Sequence, residues 1–314
     1  MNLVEKLLKG DEKSAARLIS LIENGAEAGF KAVESIFPYT GKAYILGITG
    51  PPGAGKSTLI DKIALRFAKE NKKIGVIAVD PSSIHNKGAF LGDRVRMKEA
   101  EKIGIFIRSM ANRGYGGGLA KATIGAVYIL EGLGKEIIII ESVGVGQSEK
   151  DIFYLADTVI SVLSPDFGDD IQLIKAGVVE LGDIVVINKA DLEGAKEAFR
   201  SLSAYITMSN IDNKKSWIPR LFLVSAKDKT GIDGLIDAIS EHKKYLEKQS
   251  ELEELQSKKA KGLILSLLKE ILMEKVSEKL INSGTFQQIV DKVIKREIDL
   301  YMAANSLIKE ILKE

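Results

Sequence analysis

Along the first 40 residues, Leu3, Leu7, Leu8, Ala16, Leu18, Ile19, Leu21 and Ile22 recur three and four positions apart, which predicts helix with one apolar stripe. The period then changes. Short runs of Ile and Val follow one another, each closed by Gly or Asp and succeeded by an amphipathic stretch. They predict strands at Tyr44–Thr49, Ile74–Val79, Ile105–Arg108, Glu136–Glu141, Thr158–Leu163, Asp183–Asn188 and Leu221–Ser225. The apolar positions are consecutive rather than alternate, as in parallel strands covered on both faces. Strands interleaved with helices imply βαβ crossovers, so the expected fold is α/β, a doubly wound, mainly parallel sheet of about seven strands. After about Lys243 the strand signal stops. Residues 244–314 are rich in Glu, Lys, Leu and Ile, and Leu263, Leu265, Leu267, Leu268, Ile271, Leu272, Val276, Leu280 and Ile281 mostly line one side of a helix. The expected organisation is a helical segment over 1–40, an α/β domain over 41–243 and a helical extension over 244–314.

Composition narrows the chemistry. Lys plus Arg is 45 and Asp plus Glu is 43, a formal net charge of +2 over 314 residues, which gives no reason to expect a nucleic-acid partner. There is no cysteine, so disulfides, thiolate metal sites and cysteine nucleophiles are excluded. His85 and His242 are the only histidines, a thin basis for a zinc site or a Ser-His triad. The first residues alternate charged and apolar positions without the apolar core of a secretory signal, and no stretch reaches the roughly 20 apolar residues of a membrane span. A cytoplasmic protein without a membrane partner is the expectation.

Gly50-Pro51-Pro52-Gly53-Ala54-Gly55-Lys56-Ser57 fits G-x-x-x-x-G-K-[ST], follows the strand ILGIT and opens a helical pattern at Thr58. In that context the glycines let backbone N–H groups turn inward to phosphate oxygens, with the dipole of the following helix behind them. Lys56 reaches the β- and γ-phosphates and Ser57 ligates Mg²⁺. Asn188-Lys189-Ala190-Asp191 follows the strand DIVVI. A carboxylate at Asp191 can accept from the ring N–H and exocyclic amine of guanine, whereas adenine offers neither donor on that edge. Lys189 lays its stem over the base and Asn188 helps to hold the loops together. Ser225-Ala226-Lys227 ends another strand and is similar to the S-A-K element, whose backbone N–H meets the guanine oxygen. Asp80 and Glu141 each end a strand, where ligands of open α/β sheets bind, and are candidates for holding Mg²⁺ directly or through water; an N-cap or turn role is the alternative for each. Asp93 is a further candidate metal or water ligand, with a solvated helix start as its alternative. Lys56, Asp93 and Glu141 are thus the candidates for catalysis, and Arg94, Arg96, Arg108 and Arg113 are guanidiniums that could meet transition-state charge, an unpaired surface or structural role being the weightier alternative for any single one. Gln147 lies near the place of a water-orienting glutamine, but its spacing from Glu141 differs from D-x-x-G-Q.

These elements, together with DPSS, LGDRVRM, ESVGVGQSE and FGDDIQLIKAGVVELGD between them, resemble the methylmalonyl-CoA mutase-associated GTPase chaperones of the ArgK/MeaB type, within the SIMIBI class of P-loop GTPases. The resemblance implies GTP binding and slow hydrolysis with Mg²⁺, cycling through GDP. It further implies a homodimer formed through the C-terminal helices, and docking on an adenosylcobalamin-dependent acyl-CoA mutase whose cofactor loading it gates and which it protects or restores. By the same resemblance Gly146 and Gln147 belong to a switch, and Asp169 and Lys175 to a segment that senses the nucleotide and contacts the mutase. Two other readings stay open: a metal-insertion GTPase of the same class, poorly served by a chain without cysteine, and a nucleotide-dependent kinase linked to amino-acid transport, against which Asp191 argues.

Overall fold

The computed structural model describes residues 2–80, 97–111, 121–142, 148–165, 182–209, 217–248 and 252–311. Seven strands run through them: β1 (Tyr44–Thr49), β2 (Ile74–Asp80), β3 (Phe106–Ala111), β4 (Ile137–Glu141), β5 (Thr158–Leu163), β6 (Ile184–Ile187) and β7 (Arg220–Leu223). They form one sheet in the order β3-β2-β4-β1-β5-β6-β7, with every neighbouring pair parallel. The chain starts centrally at β1 and winds outward to both sides, the doubly wound topology expected from the pattern. Ile48 lies in register with Glu141 on one side and Ile160 on the other. The carboxyl end of β1 is therefore where the winding direction reverses, the position at which such sheets bind ligands.

Twelve α-helices accompany the sheet in the described residues: α1 (Leu3–Leu8), α2 (Glu12–Glu23), α3 (Glu27–Ile36), α4 (Lys56–Lys69), α5 (Lys98–Lys102), α6 (Lys121–Gly132), α7 (Ser148–Leu155), α8 (Ala195–Ser209), α9 (Ile232–Lys248), α10 (Leu252–Ser283), α11 (Thr285–Ile294) and α12 (Leu300–Ile311). The predicted 1–40 helix is broken into three because Gly10 and Gly25 take positive φ at the junctions, and because Asn2 and Asp11 cap the new helix starts at Glu5 N (2.8 Å) and Ser14 N (3.0 Å). The inner strands begin and end within a residue or so of their predicted limits. The larger shifts fall on the edge strands: β3 runs on to Ala111, and β7 spans Arg220–Leu223 rather than Leu221–Ser225. An edge strand is paired on one side alone, so apolar content marks its ends poorly.

The chain divides into two compact units, Met1–Leu263 and Ile264–Glu314. In the first, Leu46, Ile48, Val76, Ile139, Ile160 and Val186 face α4 and α9, meeting Leu59, Ile63, Leu235 and Ile239 in a fully buried layer. Alternate residues Val185 and Ile187 face the other way, onto Leu202 and Ile206 of α8. Burying each such side chain contributes about 1.5–3 kcal/mol, which fixes strand register and with it the loops at the strand ends. Helix α6 covers β2 and β4, and α1–α3 pack outside it. The entry to β1 is clamped by Glu131 of α6, whose Oε1 accepts the backbone N–H groups of Gly41, Lys42 and Ala43 at 2.9, 3.1 and 3.1 Å. The second unit holds the end of α10 with α11 and α12. It leaves Ile264, Leu265, Leu268, Leu272, Met273, Phe286, Ile294, Leu300, Tyr301 and Ile308 exposed, among them three members of the predicted stripe. No helix of the described residues is long and apolar enough to cross a membrane.

Candidate nucleotide site

Between β1 and α4 the chain turns through Gly50–Gly55, with φ of 138° at Gly50, 83° at Gly53 and 88° at Gly55. Two of these positions have no room for a side chain. A Cβ on Gly50 would stand 2.0 Å from the Val162 carbonyl oxygen, and one on Gly55 2.3 Å from Asn188 Nδ2. The loop is thus pressed against the end of β5 on one side and the Asn188 turn on the other. Lys56 and Ser57, at the start of α4, are each 7% exposed. The Lys56 ammonium folds over its own loop, donating to Gly50 O at 2.7 Å and Pro51 O at 3.1 Å. Ser57 Oγ donates to Glu141 Oε1 at 2.9 Å, and Ser142 Oγ donates to Thr49 Oγ1 at 2.9 Å, so the ends of β1 and β4 are joined by side chains as well as by the ladder.

Asn188 is the joint of the site. Buried at the end of β6, it donates from Nδ2 to Ala54 O at 2.9 Å and accepts the Ala226 N–H on Oδ1 at 3.1 Å. One amide therefore ties the phosphate loop to the loop after β7. Lys189 follows with φ of 59°, a left-handed turn that sends the chain back, and Ala190 N donates to Val224 O at 3.0 Å. Asp191 is exposed and accepts from Ser225 Oγ at 2.8 Å. That bond, helped by Lys227 and Lys189 nearby, holds its carboxyl below the usual aspartate range. Ser225 Oγ also reaches Asp228 Oδ2 at 3.0 Å, while Ser225 and Thr230 exchange backbone bonds that close the loop.

The structure thus brings Gly50 to Thr58, Glu141, Asn188, Lys189, Asp191, Ser225, Ala226 and Lys227 to one edge of the sheet, at the carboxyl ends of β1, β4, β6 and β7. Asp80 is the last residue of β2, in register with Ala111. Its side chain, and Asp93, Gly146, Gln147, Asp169 and Lys175 altogether, lie outside the described residues, as do Arg94, Arg96 and Arg113. Arg108 is turned away from phosphate chemistry: its guanidinium pairs with Glu23 and donates to Ser20 Oγ at 2.9 Å, on α2. Two acids escaped the sequence reading. Asp61, 3% exposed on α4, accepts Ala100 N–H at 2.8 Å and the Lys62 ammonium at 3.0 Å, tying α5 to the phosphate-loop helix. Its signal was a carboxylate one turn after Ser57 on an otherwise apolar face. Asp228 carried the signal of directly following Ser225-Ala226-Lys227.

A glycine loop of this form between the central strand of a parallel sheet and a helix defines the P-loop NTPase class. Within that class the family model described as methylmalonyl-CoA mutase-associated GTPase MeaB matches residues 15–281, and the chain belongs to that family. It is a GTPase. A Pyrococcus abyssi protein bearing a provisional GTPase name is 46% identical over 99% of this chain and 96% of its own. The GTPase ArgK of Escherichia coli is 33% identical over 82% of this chain and 80% of its own. The mouse mitochondrial methylmalonic aciduria type A homolog is 34% identical over 73% of this chain and 56% of its own. Among solved structures, an LAO/AO transport system kinase superposes with a TM-score of 0.70 over 98% of this chain and 96% of that one; at 24% identity this speaks to the fold alone.

Proposed function

We propose that this GTPase is a nucleotide-controlled chaperone of an adenosylcobalamin-dependent acyl-CoA mutase, methylmalonyl-CoA mutase first among the candidates. In this reading it docks on the mutase and gates the loading, protection or reactivation of its cofactor. The observation that carries the reading is a phosphate loop and a base-reading loop joined through Asn188, in a chain whose family is described as mutase-associated. A change in either loop is transmitted to the other through one buried amide.

With GTP bound, the Lys56 ammonium exchanges the Gly50 and Pro51 carbonyls for the β- and γ-phosphates. Asp191, held ionised by Ser225, accepts from the guanine edge, and Lys189 covers the base. Ser57 Oγ and Glu141 Oε1 meet at 2.9 Å and are oxygen donors of the kind Mg²⁺ prefers, and Ser57 and Glu141, with Asp80 and Asp93, are the residues that would hold it. Such an ion neutralises charge on the phosphates when bound. The protein positions a water for attack and forms no covalent intermediate. Turnover is slow until the mutase orders the loops around the γ-phosphate. The second unit leaves Leu265, Leu268, Leu272, Phe286, Leu300 and Tyr301 exposed, apolar side chains of the kind found at association surfaces, which supports a homodimerisation arm. The protein works in the cytoplasm.

Two measurements test this. GDP, and not ADP, should displace a fluorescent guanine nucleotide. Tagged protein drawn from its source extract with GDP or a non-hydrolysable GTP analogue should bring a mutase subunit with it. The same GTP turnover with and without that mutase would count against the chaperone reading, and recovery of a nickel enzyme instead would favour metal insertion.

A further inference from the structure

We propose that a cleft at the end of the sheet away from the phosphate loop binds a small organic anion bearing a carboxylate or phosphate. The cleft lies within the first unit, between the start of β1, the turn into β5, the last turns of α9 and the beginning of α10. Its volume is about 270 Å³, just below the range of roughly 300–1,000 Å³ usual for small-molecule sites.

Three lysines converge on it: Lys42, Lys243 and Lys259. Among the described residues, none of the three has a carboxylate within salt-bridge distance, although Asp157 and Glu247 line the same cleft. Asp157 accepts the Ile45 N–H at 2.8 Å while attracting Lys259 and Lys243 from a distance, and Glu247 is exposed at the rim. Lys243 lies with its ammonium over the Tyr44 ring, 5.2 Å from the centroid. Lys259 is the deepest of the three. Its Nζ donates to one neutral acceptor, Ala156 O, at 2.5 Å, and burial pushes it below the ordinary lysine range. Asp157 and Asp183 attract this cation without a direct bond to it, so three lysines face the two carboxylates of the cleft, and an anion there would offset the remaining positive charge and the cost of burying it. The wall is already rigid, because the backbone of Lys42 and Ala43 is clamped by Glu131.

The cleft also abuts α7. Ala156 directly follows α7, and one turn beyond Lys259 the Gly262 backbone meets the Tyr154 ring so closely that a Cβ there would stand 2.5 Å from it. An anion that draws Lys259 off Ala156 O therefore acts on the helix that leads back toward Glu141.

The test uses the full chain saturated with GDP and Mg²⁺, so that the phosphate loop is filled, titrated calorimetrically with inorganic phosphate and, separately, with succinate. Saturable binding of either is expected, and the two arms distinguish a phosphate site from a carboxylate site. Lys259→Met should weaken it about tenfold, the size of one lost charge-assisted hydrogen bond, and Lys259→Arg should restore it. An isotherm for Lys259→Met that matches the unaltered protein, or no saturable heat with either anion, would overturn the proposal. Should Lys259→Met fail to fold, the rim pair Lys42→Met and Lys243→Met gives the same reading, with weaker binding expected. Because GDP affinity is measured on every variant, a failure of the cleft is distinguishable from a failure of the nucleotide site.

Discussion

The two ends of the sheet treat polar groups in opposite ways. At the carboxyl ends, Lys56, Ser57, Asn188 and Asp191 are held by loop carbonyls, amides and hydroxyls, on backbone that Gly50 and Gly55 leave no freedom to relax. At the amino ends, behind the lysines of the cleft, a cluster of uncharged polar groups satisfies itself. The Tyr44 hydroxyl meets Thr158 Oγ1, which meets His242 Nδ1 at 2.5 Å, and Trp217 packs on the imidazole with centroids 4.4 Å apart while donating its indole N–H to Asp183 O. Burial pushes the Tyr44 phenol up and the His242 imidazole down, the latter against the pull of Asp183. One end keeps ionised groups ready for an outside molecule. The other, beneath its cleft, buries the Tyr44, Thr158 and His242 cluster for stability. Substitutions should divide the same way, with ligand binding lost at the first end and folding weakened at the second.

The largest effect is expected from Asp191→Asn, which turns an acceptor of two guanine donors into an amide with one donor of its own. Preference for GDP over ADP should fall by about 10³-fold, read by competition against a fluorescent guanine nucleotide, with thermal stability little changed. Gly55→Ala comes next. At φ of 88°, with a Cβ driven into Asn188 Nδ2, it should lower GDP affinity on the order of 100-fold; a normal affinity would mean that the loop is softer than its contacts imply. Asn188→Ala blurs the comparison, because it removes a buried joint as well as a ligand-side group. It should cost about 2 kcal/mol in urea unfolding without nucleotide, and should also weaken GDP binding. The smallest effect belongs to the amino end. The folded His242 pKa lies below its ordinary value of 6.5, so the unfolded chain takes up the proton first. Stability from this site is full above pH 6.5 and is lost as pH falls from there toward the lowered value. A pH series of melting temperatures should show that decline, and His242→Gln should flatten it; a melting temperature that rises as pH falls through this window would contradict the buried neutral ring.

How much of this was legible in the sequence follows from the range of the forces involved. β1 and β5 were found to the residue because an Ile and Val run buried on both faces leaves one reading. The glycine loop was visible because its geometry is written into adjacent positions. The partners that set each side chain were not, since they are remote: Ser57 meets Glu141 across 84 residues and Asn188 meets Ala54 across 134. Arg108 shows the hazard. Its charge and position suggested transition-state chemistry, yet an edge strand sets it beside α2, where Glu23 takes the guanidinium. Asp61 shows the reverse, a carboxylate the sequence reading passed over, whose partner is an amide supplied by α5.

The carboxylate of Glu131 reaches back ninety positions to gather three successive amides at the threshold of β1. The helix carrying it sets Gly125 against Ile22 and Gly132 against Ile36, both in the opening helices. Those opening helices are therefore riveted to the domain. A shortened version beginning at the first strand would strip an apolar flank bare and invite aggregation, so any fragment made for crystallography or spectroscopy should keep all three of them.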